Sequence, residues 1–189
     1  MFVTAVPQAA LRYNIPSNPM KFVLTLLAAS GLVFAGSDTP AIPNFHQVDE
    51  HLFRGAQPAA SEFQNLARMG IKTVLDLREE GHAIAEEKLV EAAGMRYINL
   101  PMSGVLPPSD QQISRALAVM EDPAGGPVFV HCRRGADRTG TVIACYRIAH
   151  DGWQNRQALD EARTFGMSGL ERAMRSYVLH YHAAAASIP

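Results

Sequence analysis

The ten residues HCRRGADRTG, from His131 to Gly140, decide how this sequence is interpreted. They follow the apolar run from Val128 to Val130, which predicts a buried strand. The residues from Thr139 to His150 then show a helical pattern. The order of strand, loop and helix places the cysteine loop at the carboxyl end of a strand, where open parallel sheets bind their ligands.

Helices and strands alternate along most of the chain, and this alternation predicts a parallel sheet. Strands are expected over residues 71–77, 95–100 and 128–131, and two short strands around a turn at Asp49 and Glu50. Helices are expected up to Gly70, over 83–93, from the N-cap Ser109 to about Met120, and over 139–150, 155–165 and 170–184. The predicted fold class is α/β, with a central, mostly parallel sheet of four to five strands flanked by helices on both faces.

Composition places the chain among globular proteins and excludes some function classes. Of the 189 residues, 48% are hydrophobic and 19% are charged, which is ordinary for a folded domain. The net charge of -1 argues against nucleic acid as a partner, so anion recognition must come from a local cluster of arginines. Two cysteines are too few for a disulfide framework.

The N-terminal region is typical of a secretory signal. Lys21 is followed by the apolar stretch FVLTLLAASGLVFA of 14 residues, which ends in Val33-Phe34-Ala35, a small-residue cleavage pattern. The stretch is too short for a membrane span. We therefore predict a leader over 1–35, a linker over 36–44 and one catalytic domain over 45–189. We therefore expect the protein to be exported to the bacterial periplasm or the extracellular space, with no stable membrane span after processing. If the leader is retained, the protein would be anchored in the membrane.

The loop from Cys132 to Arg138 combines an anion site with a thiol. The helix after it is expected to begin near Arg138, and its first N–H groups lack intrahelical partners and attract anions. Gly135 lets successive N–H groups converge on one point, which suits a tetrahedral phosphate. The same field stabilises a thiolate at Cys132, the nucleophilic form of the side chain. Arg138 can offer a planar, two-pronged donor to phosphoryl oxygens.

Further roles are expected for the neighbours of this loop. Thr139 is expected to hydrogen-bond the sulfur, and His131 to orient the loop through its ring nitrogens. The predicted substrate-binding residues are Arg133, Arg134, Gly135, Ala136, Asp137 and Arg138. We predict neither a metal nor a cofactor, because His180 and His182 alone make a poor metal site.

The segment HCRRGADRTG resembles the His-Cys-x5-Arg-Thr-Gly signature of cysteine-dependent protein tyrosine and dual-specificity phosphatases. The segments LFRGAQP (52–58), IKTVLDLRE (71–79), YINLPM (97–102) and PVFVHC (127–132) resemble the layout of the small atypical dual-specificity phosphatases of bacteria, plants and fungi. The resemblance covers residues 45–180 and implies hydrolysis of phosphomonoesters through a phosphocysteine intermediate.

The resemblance leaves the substrate and the class of activity open. It implies a phosphorylated substrate, which is a phosphoprotein, an inositol phosphate or a phosphoinositide. A catalytically inactive phosphate-binding module is the alternative from another class. Rhodanese-type sulfur transfer is a weaker option, since rhodanese loops lack the pair formed here by Arg138 and Thr139.

The general acid has more than one candidate. Related phosphatases carry an aspartate some thirty residues before the cysteine, but that region here reads PMSGVLPPSD (101–110) and departs from the pattern. Asp110 is the one carboxylate in it, and Asp137 inside the loop is its rival. The third possibility is no protein acid, which suits a good leaving group.

Three side chains outside the loop have other expectations. Arg54 and Arg78 match positions of the family, and we expect each to brace the loop or pair with a carboxylate. Cys145 falls among apolar residues of the following helix, and we expect it in the core.

Overall fold

The computed structural model describes residues 40–79 and 83–183. The predicted leader over 1–35 therefore lies outside the described residues. Within the part that is described, no helix combines the length and the apolar character needed to cross a membrane.

A single sheet holds the strands of the described residues. They are β1 (His46–Gln47), β2 (Leu52–Ala56), β3 (Thr73–Asp76), β4 (Arg96–Asn99) and β5 (Val128–Cys132). Their order across the sheet is β1-β2-β5-β3-β4, and only β1 runs antiparallel to its neighbour. The predicted sheet of four to five mostly parallel strands is confirmed.

Six α-helices connect and follow the strands within the described residues. They are α1 (Glu62–Arg68), α2 (Ala83–Ala92), α3 (Asp110–Met120), α4 (Asp137–Ala149), α5 (Asn155–Thr164) and α6 (Arg172–His180). Ser109 forms the predicted N-cap of α3, in a capping box with Gln112. Helix α4 begins at Asp137, two residues before the predicted span of 139–150.

Helix α6 is shorter than the predicted span of 170–184. Residues 169–170 form a turn before it, and Tyr181 ends it with an extended backbone at φ -68° and ψ 132°. Asn155 fixes that ending, because its side-chain amide donates hydrogen bonds to the carbonyl oxygens of Val178 and Tyr181, both at 2.8 Å.

The central strand β5 has an apolar core on each side. Val128 and Val130 face a cluster that includes Ile113 of α3 and Val142 of α4. Phe129, between them, faces the other cluster, which includes residues of α1 and α2. Alternate side chains of a strand point to opposite faces, so the sheet is covered by helices on both sides, as predicted.

Residues 40–44, which were predicted to belong to a linker, pack against the domain. Ile42 is 5% exposed and lies in the core beside α1 and α2. The backbone N–H of Ala41 donates to Glu62, and the carbonyl of Pro43 accepts from Ala56. An isoleucine can contribute its full burial energy there, which explains why this segment is ordered against the sheet.

Candidate active site

The cysteine loop begins where the central strand ends. Cys132 is the last residue of β5, between the parallel strands β2 and β3, and it pairs in register with Ala56. Its thiol is free and 2% exposed. It lies at the base of a cleft of about 390 Å³ lined by Gly104, Cys132, Arg133, Arg134, Asp137, Arg138, Ser168, Leu170 and Glu171.

Three consecutive carbonyl groups of the loop point away from this cleft, because each accepts a hydrogen bond from a residue outside the loop. The pairs are Gln57 N–H to Arg133 O (3.4 Å), Asn44 Nδ2 to Arg134 O (2.9 Å) and Arg54 Nη2 to Gly135 O (2.9 Å). In a trans peptide the N–H points opposite to the C=O, so the following N–H groups face the inside of the loop. Amide donors that face inward in this way can bind a tetrahedral anion, which is the role predicted for them.

Gly135 allows the loop to turn at its middle. Its φ is +67°, in the left-handed region. A Cβ atom there would lie 2.3 Å from the carbonyl carbon of Gly55 and 2.5 Å from the nitrogen of Ala56. The loop therefore rests against the backbone of β2, and only a glycine fits at this position.

Arg54 supports the loop from the sheet. It is 1% exposed, and its guanidinium lies 4.2 Å from the ring centre of Phe165 while Nη2 binds the loop carbonyl of Gly135. Burial lowers the pKa of Arg54 to about 10, although the charges of Glu161 and Cys132 partly oppose this. The expected bracing role of Arg54 agrees with this contact.

Arg138 lies in the first turn of α4, and carbonyl groups hold its side chain at the cleft. Its Nη1 donates to Met102 O at 3.3 Å and to Leu77 O at 3.5 Å. In the described part of the chain its hydrogen bonds use this one nitrogen, so Nε and Nη2 are available to an anion. The geometry suits a two-pronged contact with phosphate-like oxygens.

Asp137 has a structural role at the edge of the loop. Its Oδ2 pairs with Nη2 of Arg134, and its Oδ1 accepts the N–H of Ser168 at 2.8 Å. The pKa of Arg134 is raised, first by this hydrogen bond and then by the charge of Asp137. Asp137 thus ties the loop to the segment before α6.

Asp110 does not line the cleft. It begins α3, and its Oδ1 accepts a hydrogen bond of 2.7 Å from the hydroxyl of Tyr177 on α6. Among the described residues that do line the cleft, the carboxylates are Asp137 and Glu171. Sequence reasoning missed Glu171, because it lies 39 positions after Cys132 with no motif around it.

His131 does not orient the loop through its ring nitrogens, contrary to the prediction. Neighbouring residues of a strand point to opposite faces of the sheet, so the ring of His131 lies on the face opposite to the side chain of Cys132. Its Nε2 lies 2.7 Å from Glu86 Oε1 and 3.9 Å from Asp76 Oδ1. His131 belongs to a fully buried charged cluster.

Arg78 lies within that cluster and pairs with both of its carboxylates. Its guanidinium binds Asp76 Oδ2 at 2.6 Å and Glu86 Oε2 at 2.5 Å. Burial alone would raise the pKa of Asp76, but hydrogen bonds from Arg78 and the charge of His131 outweigh it and lower the pKa below 3.8. The cation of Arg78 thus balances the charge of the two buried carboxylates.

Thr139 and Cys145 lie on the buried side of α4. The hydroxyl of Thr139 has no hydrogen-bond partner among the described residues, so it makes no bond to the Cys132 sulfur in this geometry. Cys145 is fully buried in the core, as expected, and burial raises the pKa of its thiol.

Comparison with known proteins supports the geometry. A family model described as "DSP-PTPase phosphatase fused to NAD+ Kinase" matches residues 37–178. The rice (Oryza sativa subsp. japonica) protein Inositol diphosphatase DSP1 is 32% identical over 126 residues, which cover 65% of this chain and 56% of that protein. The dual specificity protein phosphatase TpbA of Pseudomonas aeruginosa is 30% identical over 132 residues, covering 70% of this chain and 58% of TpbA. The chain thus spans little more than half the length of either relative.

Solved structures share the fold. The crystal structure of P. aeruginosa TpbA matches with a TM-score of 0.66 and 28% identity, covering 76% of this chain and 88% of that one. The core catalytic domain of the PP-IP phosphatase SIW14 from S. cerevisiae matches with a TM-score of 0.67 and 26% identity, with the same coverage of 76% and 88%.

Proposed function

The chain belongs to the family of DSP-PTPase phosphatases, and from this membership we propose that it hydrolyses phosphomonoesters through a phosphocysteine intermediate. The observation that carries the proposal is the set of three loop carbonyls bound from outside, which leaves the N–H groups that follow them free to donate to an anion held beside Cys132. Donors fixed before the substrate arrives stabilise developing charge without a reorganisation cost.

The reaction has two steps in this proposal. The Cys132 thiolate attacks phosphorus and the bond to the leaving oxygen breaks, while Arg138 and the loop N–H groups bind the equatorial oxygens. A water molecule then attacks the phosphocysteine, and the sulfur leaves as a thiolate. The buried Thr139 hydroxyl has no other partner among the described residues, so it is free to donate to the leaving sulfur in the second step.

Electrostatics favours a multiply charged substrate. Arg133 and Arg134 are both exposed at the cleft. Arg134 is paired with Asp137, whereas Arg133 has no ion pair among the described residues. An inositol phosphate or a phosphoinositide would use Arg133 through a second phosphate, and a phosphotyrosine peptide would not need it. A panel of these three substrate types tests the preference, and Arg133→Ala should weaken kcat/KM for the multiply charged substrates alone.

The activity itself is tested with an aryl phosphate, a thiol reductant and a chelator. The purified protein should hydrolyse the ester without added metal, and Cys132→Ser should abolish hydrolysis while still binding a phosphate-like oxyanion. Cys145→Ser is the matched control, because it removes the buried thiol outside the cleft. Full activity in Cys132→Ser would reject covalent catalysis, and a wild-type protein that binds oxyanion without hydrolysis would be the inactive phosphate-binding module.

We also propose export, from the sequence pattern of residues 1–35. Expression of the full chain followed by fractionation and N-terminal sequencing tests it. A periplasmic or secreted product that begins after Ala35 is expected, and an intact N-terminus in the cytoplasm would contradict the proposal.

A further inference from the structure

The cleft contains one carboxylate whose oxygens are not occupied by neighbours. Both oxygens of Asp137 are engaged, one by Arg134 and the other by the N–H of Ser168. A carboxylate whose two oxygens are held by a guanidinium and an amide is not free to turn toward a substrate. Asp137 is therefore poorly suited to proton transfer.

Glu171 differs from Asp137 in this respect. It lines the cleft at the residue before α6, where it makes no capping hydrogen bond. No hydrogen bond or ion pair of its carboxylate is found among the described residues. Its backbone is fixed, since its N–H donates to Ser168 O at 3.3 Å and its carbonyl accepts from Arg175 at 3.0 Å. The side chain is half-buried, so its position is restricted while its oxygens stay free.

The segment that leads to α3 offers no substitute. Gly104 of this segment lines the cleft, and the stretch from Pro101 to Ser109 contains no acidic residue. Asp110 comes next, but it is bound to Tyr177 and does not line the cleft. Of the described carboxylates that line the cleft, only Glu171, in the segment before α6, has oxygens without such contacts.

We propose that Glu171 is the proton-transfer residue of this site, an inference that rests on the proposed phosphatase activity. In the first step its carboxylic acid gives a proton to the leaving oxygen as the S–P bond forms and the P–O bond breaks. In the second step the resulting carboxylate takes a proton from water as the new O–P bond forms and the S–P bond breaks. The step restores the Cys132 thiolate and the protonated Glu171, so protons balance over the cycle.

Glu171→Gln tests the assignment with a series of aryl phosphates that differ in leaving-group basicity. A general acid contributes about 10²- to 10⁴-fold when the leaving group needs a proton. Glu171→Gln should therefore lose about 10²-fold or more in kcat for the most basic phenol and only a few-fold for a nitrophenol with several nitro groups. Glu171→Asp should recover part of the loss.

The matched control is Glu87→Gln, which removes an exposed glutamate on α2 far along the chain from the cleft and should leave the series unchanged. Circular dichroism and melting temperature show whether each variant folds. An unchanged dependence on leaving group in a folded Glu171→Gln would overturn the assignment, as would a steeper dependence in Asp110→Asn. Failure of the phosphatase proposal is a separate result, because it appears as full activity in Cys132→Ser.

Discussion

Gly135→Ala should damage both the stability and the activity of the protein. Alanine must adopt a φ near +67°, which costs about 1–2 kcal/mol for a residue with a Cβ. Its Cβ would also lie 2.3 Å from a backbone atom of Gly55, and overpacking of this kind costs about 1–3 kcal/mol. The free energy of unfolding should fall by about 2–5 kcal/mol. At about 3 °C per kcal/mol, the melting temperature should fall by about 6–15 °C.

The loss of activity in Gly135→Ala should be larger than the loss of stability alone would cause. To accommodate the methyl group, the loop must move away from β2, and with it the N–H groups that are directed at the phosphate position. A displacement of about 1 Å can cost about 10²-fold in rate. The assay is kcat with an aryl phosphate, measured well below the melting temperature of the variant.

Gly152→Ala separates strain from clash. Gly152 has a φ of +70°, but no atom lies within 4 Å of a Cβ built on it. Gly152→Ala should cost only the strain, about 1–2 kcal/mol, and should keep wild-type kcat. If Gly135→Ala matched Gly152→Ala in both stability and kcat, the tight contact between loop and sheet would not exist as described.

Three further predictions concern buried side chains. Arg54→Met removes a buried cation and its hydrogen bond to the loop, so kcat should fall by about tenfold or more while the melting temperature changes little. An unchanged kcat would contradict the bracing role of Arg54. Asp76 has a lowered pKa, so its contribution to stability is fully present above pH 3.8 and is lost as pH falls further. Asp76→Asn should therefore flatten the dependence of the unfolding free energy on pH in that range. An unchanged slope would argue against the buried pair of Asp76 and Arg78. Iodoacetamide should label Cys132 and leave Cys145 intact in the folded protein, because Cys145 is 0% exposed and burial raises the pKa of its thiol. Peptide mapping measures the labelling of each cysteine. Rapid labelling of Cys145 would contradict its core position.

Local sequence signals predicted most of the fold. The apolar runs ending at Leu77 and Cys132 became neighbouring strands, and Ser109 capped its helix as its residue type indicates. Errors occurred where tertiary contacts decide the boundary. Ile42 is buried against the sheet although turn formers surround it, and the end of α6 is set by Asn155, which no local pattern reveals.

The nucleophilic loop was predictable because its residues are consecutive, and Arg54 was expected to brace it, whereas two further supports were not predicted. Asn44 and Gln57 bind loop carbonyls from positions far away in the chain. His131 was misjudged because strand alternation turns its ring to the face opposite Cys132. Glu171 reaches the cleft only through the packing of α6, so its approach to the loop could not be read from spacing.

Acid quenching during turnover tests the covalent mechanism most directly. The protein is mixed with a fast aryl phosphate, quenched within milliseconds and digested, and the peptides are analysed by mass spectrometry. The account predicts one phosphoryl group on the peptide that contains Cys132, with a larger phosphorylated fraction in Glu171→Gln because hydrolysis of the intermediate is slowed. A phosphoryl group on any other residue, or an unmodified Cys132 peptide in both proteins while the ester is being hydrolysed, would contradict it.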